Sequence, residues 1–466
     1  MGRADTEKNV VLLFENYLED SIKLHTSFKM AKKKYKTVVI DDDGFLPDDV
    51  ESVYGYFLGN FKKSKNALGK PRYFNQINVP DFWEISANNR GGKIYELNKE
   101  KGNIIYVKPL HKRLVKAVEW YDEKGVVRSC DHYNKYGALY ARTVYDSKGK
   151  QINKSYFSSE GLEIIMENYV TKDIVLNDGN KVIIFQSKTD FICYFLKEKG
   201  YNNYRLFYNT LSLPFFVSHA LSGEPGNEEG DILFWQEKER NDIPGNMQII
   251  LNGQSRRTGA IKVLDKNAYD SFIRLGVDKS KVQKLGYIYK FKKKKSKNKQ
   301  TLSDRDNKYY GKEALICTNS DRIACIEEFI KELPDVRFNI VAITEMSSKL
   351  MQLEQYDNVS LYPNVRMNMV EDIFIKCDYY LDINHENEII SAVQSAFLCD
   401  HIIMAFNETM HNREYVATEH IYNKSDYKKM IDDIRAMLSD DKLKEKHLEI
   451  QHKFAGLESS AAYEEL

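Results

Sequence analysis

Three short stretches, Tyr121-Asp-Glu-Lys-Gly125, Tyr145-Asp-Ser-Lys-Gly149 and Phe157-Ser-Ser-Glu-Gly161, narrow the folds open to this chain. Each joins an aromatic residue and polar residues to a glycine free to take positive φ, as a hairpin turn demands. From about Val50 to Tyr169 the sequence around them alternates polar and apolar residues in short runs. A meander of antiparallel strands is expected there. The flanking sequence follows another pattern. "NVVLLF", "ENYLEDSIKLHTSFKMAKKK" and "KTVVID" read as strand, helix and strand. After the meander, "KVIIFQ", "YRLFYN", "DILFWQ", "NMQIIL" and "IKVL" read as strands and "KTDFICYFLKEKG" as a helix.

Beyond "KFKKKKSKNK", with seven lysines from Lys290 to Lys299, a second βα series begins. Its strands are "ALICTN", "FNIVAIT", "VSLY", "YYLDI" and "HIIMAF", with helices in "DRIACIEEFIKEL" and "MVEDIFIKC". "SDYKKMIDDIRAMLSDDKLKEKHLEIQHKFAG" reads as one or two terminal helices behind a Ser-Asp cap. The expected architecture is α/β: two parallel-sheet domains, the first interrupted by an extended antiparallel insertion. By residue, 1–9 are an extension, 10–49 and 170–289 the first domain, and 50–169 the insertion. Residues 290–312 form a basic linker, 313–437 the second domain and 438–466 terminal helices.

Composition narrows the function classes. The 466 residues carry 69 basic and 68 acidic side chains, so no global field favours nucleic acid. Six cysteines (Cys130, Cys193, Cys317, Cys325, Cys377, Cys399) lie scattered, with no C-x-x-C pair, and read as reduced thiols of a cytosolic protein. The apolar run Val10 to Phe14 is too short for a signal peptide, and no run of about 18 apolar residues is present to span a bilayer. The lysine run reads as a solvated, self-repelling spacer, with a weak pull toward an anionic membrane surface left open. The 31 Tyr and 23 Phe suit sheet surfaces, and tyrosine also suits sugar or peptide contacts.

Two facing α/β domains form a cleft where ligands bind at the carboxyl ends of strands. A diphosphate there needs a glycine-rich loop, a helix N-terminus and a nearby cation. "ENYLEDS" and "TEMSSK" hold no glycine, and in "NSDR" Arg322 is the one cation. In "DINHENEIISAVQ", Glu386 fills the position of a donor-contacting acid, and Gln394, eight residues on, stands neutral where a carboxylate would hold ribose. Glu386 reads either as that acid or as a helix N-terminal acid serving the dipole. Arg322, Glu386 and Gln394 therefore mark a degenerate donor site. His385 and His401 are isolated, the acids of "IDDDGFLP" fit a turn as well as a cation site, and no G-x-S-x-G elbow occurs. No metal, cofactor or catalytic residue is expected. In the insertion, Trp120, Tyr121, His132, Tyr133, Asn134, Tyr136, Tyr140 and Arg142 are candidates for holding a flexible polar peptide. The competing reading makes them ordinary cross-strand pairs.

Several segments together resemble one family. "LFENYLEDSIKLHTSF", "DDDGFLPDDV", "YFNQINVPDFWEI", "DHYNKYGALYARTVY", "ALICTNSD", "VAITEMSSKLM", "YLDINHENEI" and "AFNETMHNREYVATEHI" look like the glycosyltransferase-stabilising (GtfB-type) subunits of accessory Sec systems in Gram-positive bacteria. The resemblance runs in order over roughly residues 10 to 440. It implies a GT-B fold, two Rossmann-like domains facing across a cleft, with a β-sheet insertion in the first. It implies a catalytic sister subunit of GtfA type that transfers N-acetylglucosamine to Ser and Thr of a serine-rich repeat adhesin. The GtfB-type subunit would stabilise that enzyme and hold the acceptor in the cytoplasm, peripheral to the membrane at most, without catalysis of its own. The resemblance leads one to expect a glycine where Glu386 stands. The alternative is an active retaining UDP-sugar-dependent glycosyltransferase with Glu386 in its donor site; a third is a free-standing glycan-binding module.

Overall fold

The computed structural model describes residues 9–221, 230–292 and 308–466. The chain divides into two compact units, residues 1–25 with 32–285 and residues 26–31 with 286–466. The first unit opens with β1 (Val10–Phe14), β2 (Lys36–Val39) and the short β3 (Glu51–Ser52). The chain then leaves this parallel sheet for ten antiparallel strands. These are β4 (Trp83–Ala87), β5 (Gly92–Glu96), β6 (Lys99–Tyr106), β7 (Val115–Tyr121) and β8 (Val127–Tyr133). They continue as β9 (Leu139–Tyr145), β10 (Gln151–Phe157), β11 (Glu163–Asn168), β12 (Ile174–Asn177) and β13 (Val182–Phe185). It returns with β14 (Arg205–Tyr208), β15 (Asp231–Trp235), β16 (Thr258–Val263) and β17 (Val282–Lys284). The parallel sheet runs β17-β16-β15-β14-β1-β2-β3, and the antiparallel sheet pairs β4 to β13 in simple chain order.

The three sequence turns sit where the strands reverse: Gly125, Gly149 and Gly161 have φ of 78°, 78° and 87°. The antiparallel strands run from Trp83 to Phe185, whereas the sequence reading placed the insertion at residues 50–169. At its start, Ser52 caps the helix Val53–Leu58 through Gly55 N, and Val53, Tyr54 and Leu58 are buried. That segment therefore belongs with the first core. At its end, "KVIIF" was expected to resume the parallel sheet, but Val182–Phe185 pairs antiparallel with β12. Its exposed, half-buried, exposed, buried pattern is that of an edge strand covered on one face. "NMQIIL", read as a strand, is the helix Gly245–Leu251, which buries Met247 and Ile250, three residues apart.

One face of the antiparallel sheet shares a core with the first parallel sheet. Tyr140, Ala141, Tyr156, Ile165, Ile174, Leu176 and Phe185 lie in one cluster with Val11, Leu13, Tyr54, Phe191 and Leu206. Tyr54 stacks on Tyr156 at 4.3 Å and donates its hydroxyl to Glu167 Oε2 at 3.1 Å.

The second unit is one parallel sheet of β18 (Glu313–Cys317), β19 (Arg337–Val341), β20 (Val359–Tyr362), β21 (Tyr379–Asp382), β22 (Ile402–Phe406) and β23 (Ile421–Tyr422). Its order is β20-β19-β18-β21-β22-β23, so the chain reverses direction between β18 and β21. Every residue of β18, β19 and β22 is buried, with Glu313, Arg337 and Asn339 the polar members of otherwise apolar strands covered on both faces. Three helices, Tyr427–Ser439, Asp441–Phe454 and Ser460–Glu464, end the chain. Buried Gln451 accepts from Ile403 N and donates to His401 O, tying the second of them to β22. Of the basic segment, residues 293–307 lie outside the described residues, as do residues 1–8 of the expected extension.

Candidate functional site

Ligands of such a sheet bind beyond the carboxyl ends of its strands, beside the point where strand order reverses. In the second unit these are the loops after β18, β19 and β21. The first and last are bound together. The Thr318 hydroxyl donates to Asn384 Oδ1 at 2.9 Å, and Asn384 Nδ2 donates to Glu386 O at 3.0 Å. His385 N donates to Arg322 O and Ala324 N to Ile383 O. Across this seam Arg322 Nη1 meets Glu386 Oε1 at 2.9 Å. The structure thus brings together two of the three residues of the sequence-read donor site. Both are well exposed, so the pair contributes little to stability, but it engages the one cation of the loop.

Gln394 is held elsewhere: its Nε2 donates to the Tyr415 hydroxyl at 3.2 Å. It lies on the helix Ala392–Leu398, entered through Ile390 and Ser391 at φ of 52° and 48°. Neither is glycine, so this entry carries backbone strain. The amide of Val393 in the first turn already donates to Glu388 Oε1 at 2.8 Å. A carboxylate of the chain itself therefore sits on a helix-start amide of the kind a donor phosphate uses elsewhere.

Two features here escaped the sequence reading. Asp382, buried at the end of β21, accepts from His411 N at 2.8 Å and lies 2.6 Å from His411 Nδ1. The hydrogen bond to Asp382, ahead of the opposing effect of burial, raises the His411 pKa to about 9. The imidazolium then donates at Nε2 to Glu386 O and braces the loop. The available signal was an acid ending one buried strand and a histidine just past the next. The second feature is a cavity of about 550 Å³ lined by residues of all three loops, among them Asp321, Glu345, Ser347, Glu386 and Asn387. His401 is internal, with Nε2 2.7 Å from Phe374 O. His385 is exposed.

The candidates in the insertion divide between two faces of the sheet. Asp131 collects Trp120 and Arg142. Trp120 Nε1 donates to Asp131 Oδ2 at 3.0 Å, and Arg142 bonds both carboxylate oxygens, Nε at 2.5 Å and Nη2 at 3.0 Å. Trp120 also packs beside Gly102, where an added Cβ would stand 2.6 Å from Glu119 O. His132 is on the other face with Thr143, 2.9 Å from its hydroxyl, and burial, with Lys154 and Lys116 nearby, pushes its pKa down to about 3. Tyr133, Asn134 and Tyr140 are buried. Asn134 Oδ1 accepts from Tyr136 N and Ala138 N to form the β8–β9 turn. Tyr121, Tyr136 and Arg142 keep exposed surface.

The acidic loop after β2 docks on that turn. Lys135 N donates to Gly44 O at 2.8 Å, the Tyr140 hydroxyl to Asp42 O at 3.0 Å, and Lys116 pairs with Asp43 at 2.9 Å. At φ of 86°, Gly44 lies so close that an added Cβ would stand 2.9 Å from Tyr133 O. Among the described residues, no group of three or more His, Cys, Asp or Glu side chains is placed to hold a metal ion. All six cysteines are free thiols.

The fold is of GT-B type: two Rossmann-like α/β units, the first carrying an antiparallel insertion. In the loops of the second unit Glu388 accepts from Val393 N, and Arg322 pairs with Glu386. Family models match four stretches of it: the GtfB N-terminal domain at residues 11–57, the GtfB middle domain at 83–186, the GtfB third domain at 188–275 and the GftB/GlyA-F C-terminal domain at 314–451. The UDP-N-acetylglucosamine–peptide N-acetylglucosaminyltransferase stabilizing protein GtfB of Streptococcus gordonii is 37% identical over 89% of each chain. Its counterpart in Streptococcus pneumoniae serotype 4 is 38% identical over 92% of this chain and 93% of its own. The chain belongs to the GtfB family. Among solved structures, a GtfA/B complex bound to UDP and GlcNAc contains a chain with a TM-score of 0.86 and 36% identity, 98% of each chain being covered. The pneumococcal O-GlcNAc transferase GtfA, at a TM-score of 0.55 and 11% identity, shares the fold.

Proposed function

We propose that this chain is a non-catalytic subunit that stabilises a partner O-GlcNAc transferase of GtfA type and holds the Ser/Thr-rich acceptor during glycosylation. The observation that carries the reading is the closed donor site on an intact GT-B scaffold. Glu388 occupies a helix-start amide, Glu386 occupies Arg322, and Gln394 is turned to Tyr415. The relatives' own designation as stabilising proteins supports it. The acceptor, a serine-rich repeat polypeptide, would lie along the exposed part of the insertion near Tyr121, Tyr136 and Arg142. Its antiparallel strands offer aromatic and polar side chains to an extended chain. The complex would work in the cytoplasm, at most peripheral to the membrane; no described helix is long and apolar enough to cross one.

Co-expression with a GtfA-type transferase tests the first part. A stable complex with a more soluble and more active partner is expected, and no complex overturns the reading. For the acceptor, surface substitutions are the right probe, because deleting the insertion would strip Tyr156, Ile165 and Leu176 from the shared core. Tyr121→Ala with Tyr136→Ala should weaken binding of a Ser/Thr-rich peptide at least about tenfold, on the order of 1.4 kcal/mol. Unchanged peptide binding would move the acceptor off this face. Turnover of a UDP-sugar by the chain alone at about 1 per second or faster would instead restore the transferase reading.

A further inference from the structure

Where the insertion meets the first parallel sheet, an ion network lies on the covered face, away from the sites described above. It joins β10 and β11 to the helix Val53–Leu58, the start of the helix Lys188–Glu198 and the loop after β2. Tyr54 and Tyr156 stack at 4.3 Å, and each ring has a lysine ammonium beside it. Lys188 Nζ is 5.6 Å from the centre of the Tyr54 ring, and Lys154 Nζ is 4.9 Å from that of Tyr156. Such contacts have little directionality; direction comes from Glu167, buried on β11. Its Oε2 accepts from the Tyr54 hydroxyl at 3.1 Å, and its Oε1 lies 3.5 Å from Lys188 Nζ. Lys188 also pairs with Asp41 at 2.5 Å.

The neighbour that Glu167 does not engage is the informative one. Lys154 stands directly opposite it in the β10–β11 register, where paired side chains are within reach of each other. Yet Lys154 has no hydrogen bond or ion pair among the described residues, and its ammonium rests on the Tyr156 ring. Burial pushes its pKa down, against the pull of Glu167, Asp41 and Asp42 and with the help of Lys188. Glu167 thus has two alternative sets of partners: Tyr54 and Lys188 on the parallel-sheet side, or Lys154 inside the insertion. Lys188 keeps Asp41 in either case, and in the second Lys154 gains the acceptor it lacks. We infer that Glu167 is a two-position latch. Turned to Tyr54 and Lys188 it ties the insertion to the first parallel sheet; turned to Lys154 it lets β10 and β11 shift. The stacked rings can slide through such a shift, because an offset stack is as favourable as a centred one. Ser155, between Lys154 and Tyr156, pairs across the strands with Arg142, so the latch lies behind the face given to the acceptor. Only that last consequence rests on the function proposed above.

Hydrogen exchange of β10 and β11 in the full chain, with NMR of the Lys154 side chain, tests this. Tyr54→Phe removes one holding bond, so Glu167 should turn to Lys154. Exchange of the β10 and β11 amides should then quicken at least about fivefold. The Lys154 titration midpoint should rise toward the ordinary lysine value in the same variant, as a new carboxylate partner requires. Adding Lys154→Met to Tyr54→Phe removes the second position and should bring exchange back to within about twofold of wild type. If Glu167 is a fixed structural group, the added substitution instead strips a countercharge from a buried carboxylate and speeds exchange further. That result overturns the inference, as does a Lys154 midpoint unmoved by Tyr54→Phe. Lys154→Met alone should slow the exchange, and faster exchange there overturns the inference whatever Tyr54→Phe does to folding. If the latch responds as expected and no Ser/Thr-rich peptide binds, the inference stands and the acceptor-holding function falls. If the peptide binds and the latch does not respond, the reverse holds.

Discussion

His411 carries a charge whose effect on stability has a definite sign. Its folded pKa of about 9 exceeds the ordinary histidine value, through the hydrogen bond to buried Asp382. The folded state therefore binds the proton more tightly than the unfolded chain does. The stabilisation is complete below about pH 6.5 and is lost as pH rises through about 9. Denaturant titrations at pH 6, 7.5 and 9 should show the second unit losing on the order of 1–3 kcal/mol, with His411→Gln flattening the dependence. A native profile no steeper than the variant's would remove the brace. At the same scale, Arg257 and Asp231 form a pair at 3.0 Å with both side chains buried, and Asp231 also accepts from Leu206 N and Ser218. Asp231→Ala takes the buried carboxylate away from the buried Arg257 guanidinium and should cost about 3–5 kcal/mol by equilibrium unfolding. Both pairs join residues that alternation rules see only as interruptions of apolar runs, which is why neither was legible in the sequence.

Among elements, the strands read from apolar runs such as those of β1 and β22 appear where expected, because a strand buried on both faces is mostly apolar. The errors fall on short segments. Val182–Phe185 and Gly245–Leu251 each have too few residues to display a period, and their neighbours chose for them: pairing with β12 for one, burial at i and i+3 for the other. For the β2–β3 loop, whose acids fit a turn as well as a cation site, Gly44 and Tyr140 dock it on the β8–β9 turn. Gly44→Ala places a side chain at positive φ and 2.9 Å from Tyr133 O. It should cost about 1–3 kcal/mol and speed hydrogen exchange at Lys135 N, whose acceptor is Gly44 O. Protection unchanged at Lys135 would mean the contact is incidental.

For the whole molecule, the insertion is not a free appendage. Tyr140, Tyr156 and Ile165 share one core with β1, β14 and the helix Lys188–Glu198. The antiparallel sheet and the first parallel sheet should therefore unfold in one transition. Near-ultraviolet dichroism and hydrogen exchange of β9–β11 should melt together with β1 and β14, and two separate transitions would show the sheet to be independent. The second unit also takes residues 26–31 from the first helix. There Phe28 meets Tyr463 edge-on at 5.1 Å, and Ile288 N donates to Ser27 Oγ at 2.9 Å.

Two βα series, a glycine-turned meander inserted in the first and the scarcity of glycine in their strand-end loops were settled by the sequence alone. They rest on local chemistry: apolar periodicity, positive φ and the absence of small residues. The tertiary structure decided which side chains meet. It placed Glu388 on an amide, paired Arg322 with Glu386, set His411 against Asp382 and divided the insertion's aromatics between a shared core and an open face. Those contacts join residues far apart in the chain, and whether a charged or aromatic group is engaged or open depends on partners that no local pattern names.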